Sequence, residues 1–206
     1  MRGMGTDIHG VVECRPGFAF RPDEDDPWES AVDLSLLYAG RDYDLFACLF
    51  GVQNLAGFAP VAAERGLPAD AARRTREDLA QFSEQAHSVS WLDGSDLAAI
   101  DLDEPAVRVD ARIHRYIRGA DNAWVYHSKA GQDPAWAGAT GHSLDQDGSA
   151  FPEGAEWLVG DRLYRVERLR RRDVIGGEWS PVFEVMRILI DLHGPRNVRL
   201  VVWFDA

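Results

Sequence analysis

Cysteine is scarce in this chain, and the two it has, Cys14 and Cys48, cannot build a framework across 206 residues. Neither has the close cysteine neighbour that a structural zinc knuckle or a redox pair requires, which favours a reducing compartment and leaves one disulfide between them open. Long apolar runs are missing too. No stretch approaches the roughly 20 apolar residues needed to cross a bilayer, and no apolar run precedes Asp7 to act as a signal peptide, so a cytoplasmic protein without a membrane partner is expected. Basic residues are outnumbered 22 to 34, for a formal net charge of -12. That balance argues against broad nucleic-acid binding, which runs on basic surface and counterion release. Phosphate-loop and dinucleotide fingerprints are also absent, so no nucleotide cofactor is supported. Neither Ser88 nor Ser90 sits in a nucleophile-elbow sequence, and Cys48, inside an apolar helical pattern, reads as core.

What is present suits one globular α+β domain with a mainly β central sheet, packed helices and a long middle loop or inserted hairpin. Met4-Gly-Thr-Asp-Ile-His-Gly-Val-Val-Glu13 reads as a first strand. Alternation puts Asp7, His9, Val11 and Glu13 on one face, with His9 about 6 to 7 Å along from Asp7. That is either a metal or proton-transfer face or a solvated edge. An acidic run, Asp23, Glu24, Asp25 and Asp26, lacks the spacing of a calcium loop and reads as a solvated turn. Residues 41–54 predict a helix capped by Asp42 or Asp44 and ending near Gly51, with Tyr43 and Asn54 framing its ends. A helix over 69–86, anchored by Leu79 and Phe82, leads into His87-Ser-Val-Ser-Trp-Leu92, where alternation groups His87 with Val89 and Trp91.

Residues 105–118 lean towards a strand, in which His114 has no evident partner. From Gly119 to Gly154 the chain is rich in glycine and polar residues around Trp124, Tyr126 and Trp136, which predicts a mobile excursion. Strands are expected on either side of Gly160-Asp161, and Ser180 is placed as the cap of a helix with Val182, Val185, Met186 and Leu189 inward. The apolar run Val198–Asp205 predicts an interior strand beside the first, bringing Asp205 towards Asp7 and His9.

The set Met4-Gly-Thr-Asp-Ile-His9, Arg41-Asp-Tyr-Asp-Leu-Phe46, Gly51-Val-Gln-Asn54, Arg65-Gly-Leu-Pro68, His87-Ser-Val-Ser-Trp-Leu92 and Val198-Arg-Leu-Val-Val-Trp-Phe-Asp205 resembles an uncharacterised family of small bacterial and phage proteins that begin Met-Gly-Cys-Asp-Ile-His. The resemblance implies one compact domain and carries no activity with it. The chain departs from that pattern at Thr6, Val89 and Ala206, where cysteine, histidine and asparagine are common.

Two functions compete at this level. One is a metal-dependent hydrolase of a small polar or phosphorylated substrate. Asp7, His9, His87 and Asp205 would hold zinc, manganese or magnesium, and Arg41, Tyr43, Asn54 and Arg65 would orient the substrate. The other is a noncatalytic phage or host interaction module, a protein partner docking on the aromatic residues of 119–154.

Overall fold

The two ends of the chain meet in one sheet. In the computed structural model, which describes residues 5–16, 27–82 and 85–205, β1 (Asp7–Cys14) runs antiparallel to β8 (Val198–Asp205), Asp7 opposite Asp205 and Cys14 opposite Val198. The acidic run at 23–26 and Ala206 lie outside the described residues. β2 (Glu29–Asp33) flanks β1 and β3 (His87–Asp93) flanks β8, giving the order β2-β1-β8-β3. An interior position explains why β8 is apolar on both faces: all of it is buried except Asp205.

Alternation along these strands makes two different surfaces. The inner face carries Ile8, Val12, Leu200, Val202 and Phe204, and it packs on α1 (Tyr43–Phe50) and α5 (Ser180–His193) through Leu45, Phe46, Leu49, Val182 and Met186. Gly10 falls on this face opposite Val202, and it is glycine because a Cβ there would lie 2.3 Å from the Val201 carbonyl oxygen. The outer face carries Asp7, His9, Val11 and Glu13 beside Asp205, Trp203, Val201 and Arg199. α2 (Arg73–Phe82) covers part of it. Glu13 accepts from the Ala72 amide at 2.9 Å, and Arg199 pairs with Glu13 at 2.7 Å while stacking on Trp28. Leu79 and Phe82, expected as anchors of α2, are half-buried.

The helix ends follow local chemistry. Asp42, not Asp44, caps α1 by accepting from the Leu45 amide, and Gly51 ends it at φ 77°. Ser180 does not cap α5. It is the first helical residue, Trp179 occupies the cap position without a side-chain bond, and Pro181 follows in the first turn. Asp93 and Asp96 form a capping box on α3 (Gly94–Ala98).

The β structure divides into two four-stranded sheets where one central sheet was expected. β4 (Ile113–Arg118), β5 (Trp124–Ala130), β6 (Glu156–Val159) and β7 (Arg162–Arg165) order as β5-β4-β7-β6. Within 119–154 the chain forms the turn from β4 into β5, β5 itself, α4 (Pro134–Thr140) and short turns. Trp136 from this region is buried with Ile113, Tyr164 and Val166. Of the strand read over 105–118 only 113–118 is regular, and Pro105 makes an isolated bridge to Arg170. Ala47 and Cys48 of α1 join Phe58, Ala106 and Leu169 in the core between the sheets. Cys14 and Cys48 are both free and buried.

Candidate active site

Pairing β1 with β8 brings three of the four expected donors to one corner of the outer face, though they do not make one donor set. Both oxygens of Asp7 are taken by Arg41, at 2.5 Å and 2.8 Å. That hydrogen bond holds the Asp7 carboxyl below its ordinary range. His9 instead faces Asp205, its Nε2 3.3 Å from Oδ1. The contact is close enough for an ion pair but poorly aligned for a hydrogen bond, so this buried nitrogen has no hydrogen-bond partner among the described residues.

His87 goes to the opposite face. Its Cα partner is Phe204, whereas Ser90 already pairs with Val202, so two residues, Ser88 and Val89, oppose Trp203 alone. This is a β-bulge, with Ser88 in the left-handed region at φ 49°. Simple alternation would have grouped His87 with Trp91 on the side of His9; the extra residue reverses it, and the His87 ring stacks against Phe204 at 6.2 Å. Asp7, His9, His87 and Asp205 as placed therefore do not fit a metal ion, and among the described residues no group of three or more His, Cys, Asp or Glu side chains is arranged to hold one.

The four residues expected to orient substrate serve as fasteners. Arg41 is held by Asp7, and the Tyr43 hydroxyl accepts from the Thr6 amide at 3.2 Å. Asn54 closes its own turn, donating to the Phe58 carbonyl and accepting from the Gly57 and Phe58 amides. Arg65 clasps Asp96 with both arms and lies over Trp91.

His9 opens onto a pocket of about 210 Å³ between the outer face and α2, lined also by Asp33, Ser35, Asp78, Gln81, Phe82 and Trp203. Phe82 lies 4.3 Å from the His9 ring and 5.7 Å from Trp203, ring centre to ring centre, so three aromatic rings share one wall. Trp203 is 2% exposed and its indole N–H has no acceptor among the described residues. Here buried polar groups are left with bonding capacity, which protein interiors ordinarily avoid.

A second polar hollow, about 420 Å³, lies where α1 meets the second sheet. At its base His114, only 2% exposed, sits between two carboxylates, Nε2 3.1 Å from Asp110 and Nδ1 3.3 Å from Glu167. Asp110 also receives Arg112 and Lys129, and both of those cations reach Asp44. Tyr116 donates its hydroxyl to Glu167. Burial works against a charged His114, yet its hydrogen bonds with Asp110 and Glu167 raise its pKa above the ordinary histidine value. Burial likewise opposes ionised Asp110, but bonds from His114 and Arg112 hold it far below the carboxylate range. Bonds from His114, against a burial penalty, lower Glu167, while burial and the Glu167 bond push Tyr116 up. The shifts at His114, Asp110 and Glu167 favour their ionised forms and the shift at Tyr116 favours its neutral form, which makes the two carboxylates poor proton acceptors.

Alternation alone missed these partners of His114 because Asp110 lies in irregular chain and Glu167 beyond β7. The one local signal was the four-residue spacing of Asp110 and His114. Against known proteins, the chain matches no family model, no curated protein and no solved structure.

Proposed function

We propose that the protein hydrolyses a small polar substrate in the His9 pocket, with His9 as general base and Asp205 as the residue that orients it. The observation that carries this reading is the His9–Asp205 pair, 3.3 Å apart, with His9 on the wall of the pocket. A carboxylate beside one imidazole nitrogen favours the tautomer with its proton there, which leaves the other nitrogen free to accept one. His9 takes a proton from water as the water oxygen bonds the electrophilic carbon, then returns it to the leaving group as the scissile bond breaks. Hydrolysis fits because it requires only the pair and a water. Asp33 and Asp78 on the pocket wall disfavour a phosphorylated substrate and favour a carbonyl compound.

The sequence also allowed an interaction surface on 119–154, but Trp136 is 1% exposed and Trp124 is half-buried beneath the Arg118 guanidinium, 3.8 Å away. Of the three aromatic residues named there, Tyr126, 50% exposed, is the one left open to a partner. The test is turnover of a panel of small esters and amides, both neutral and ammonium-bearing, by wild type, His9→Gln and Asp205→Asn. Loss of a general base costs roughly 10²- to 10⁴-fold in rate, and His9→Gln should fall in that range with its far-UV spectrum intact. Asp205→Asn should lose less. Wild-type rates in His9→Gln, or an inert wild type across the panel, reject the reading.

A further inference from the structure

The His9 pocket combines features that together specify a charge. Two carboxylates, Asp33 and Asp78, stand on its wall, and their cationic contacts are thin: the nearest is Arg74, 3.7 Å from Asp78 on an otherwise exposed side chain. Asp33 spends one oxygen on Ser35, accepting from its amide at 2.8 Å and its hydroxyl at 2.7 Å. Phe82 and Trp203 line the same pocket, their rings packed at 5.7 Å. Aromatic faces and carboxylates both attract cations, and an ammonium group bearing methyl or methylene substituents satisfies both while losing less hydration than a bare metal ion. The net charge of -12 adds a long-range field of the same sign preference.

The buried Trp203 indole N–H adds a separate requirement. It is a donor without an acceptor, in a side chain that is 2% exposed and forms part of the wall. The nitrogen is shielded from solvent, so a carbonyl or hydroxyl oxygen on the ligand becomes its acceptor only when the pocket wall shifts on binding. The volume, about 210 Å³, admits a ligand of this size and little more.

We infer that the pocket recognises a small organic ammonium ion carrying an oxygen acceptor, so that the substrate class is a short ammonium-bearing ester or amide. This rests on reading the pocket as the active site, and the binding half can be tested apart from turnover. Calorimetry with choline and with its uncharged isostere 3,3-dimethylbutan-1-ol separates charge from shape. Choline should bind at least about ten-fold more tightly than the isostere, and the Asp33→Asn/Asp78→Asn double variant should lose that preference. Phe82→Leu, which keeps apolar bulk without the π face, should weaken choline by about three-fold or more and leave the isostere unchanged. Far-UV spectra and urea midpoints should confirm that each variant is folded; Asp78→Asn alone serves if the double variant is not.

Equal binding of choline and the isostere overturns the inference, as does unchanged choline affinity in the folded carboxylate variants or no choline heat at about 10 mM. The two proposals fail separately. If choline does not bind while His9→Gln abolishes neutral-ester turnover, the cation assignment falls and the active site stands. If choline binds selectively while His9→Gln turns over normally, the catalytic reading falls and the cation site stands.

Discussion

Two of the polar hollows of the molecule differ in the fate of their hydrogen-bonding capacity. Beside the second sheet, Asp44, Asp110 and Glu167 meet Arg112, Lys129 and His114, both His114 ring nitrogens have carboxylate partners, and the pKa shifts reinforce the ionised state. On the outer face of the first sheet, among the described residues, His9 Nε2 has only its unaligned contact with Asp205 and the Trp203 indole N–H has no acceptor. The larger and more heavily charged hollow is thus the one with less left to offer a ligand. A network that satisfies itself holds the α1 side of the molecule to the second sheet; a pocket that does not can be completed from outside.

The strongest way to break the comparison is Asp110→Ala. It strands Arg112, Lys129 and His114 without their shared anion, and loss of one member of a buried ion network costs about 3–5 kcal/mol. Urea denaturation should show that loss, and in the surviving folded fraction choline affinity should be unaltered. A variant as stable as wild type would mean that the network contributes nothing to the join between α1 and the second sheet.

A smaller effect comes from pH. His114 has a raised folded pKa, so its contribution is complete below the unfolded value of 6.5 and is lost as pH rises through the folded value. Asp110 and Glu167 have lowered folded pKa values; their contribution is complete above the unfolded 3.8 and 4.5 and is lost as pH falls through the folded values. The network should therefore stabilise most between 4.5 and 6.5. Urea midpoints across about pH 5 to about pH 9 should decline on the alkaline side for wild type and decline less for His114→Gln. Parallel curves for the two proteins would remove His114 from the account.

Ser88→Gly should change stability by less than about 1 kcal/mol, because relief of the positive φ is offset by the freedom glycine adds to the unfolded chain. Arg41→Ala should have the least effect. Its partner Asp7 is half-exposed and neither residue borders the His9 pocket, so hydrolysis and choline binding should match wild type. A rate loss approaching that of His9→Gln would return Arg41 to the site.

Elements set by strong local patterns were legible in the sequence. The period-two apolar run of Val198–Asp205 marked an interior strand and placed Asp205 near Asp7 and His9, as the register bears out. Gly51 marked the end of α1, and its start was narrowed to Asp42 or Asp44, of which Asp42 is the cap. Where the reading failed, the deciding interaction was distant or a single backbone angle intervened. Nothing near Phe82 announces that it will clamp His9, 73 positions earlier in the chain, nor does Arg65 announce Asp96. Asn54 looked free to bind because its side chain is polar, but three backbone groups of its own turn consume it. The second sheet was harder still, since its strands are short and half-buried and their pairing partners come from separate hairpins.

The bulge at Ser88 works as a parity element. A strand is a code of period two, and inserting one unpaired residue inverts the meaning of every position beyond it without altering a letter. If 88 and 89 were drawn into regular pairing, His87 would come opposite Asp205 instead of Phe204 and would share a face with His9, so the same sequence would spell a two-histidine, one-aspartate corner. Which chemistry that corner can offer is thus written in the backbone angle of a serine that takes no part in it.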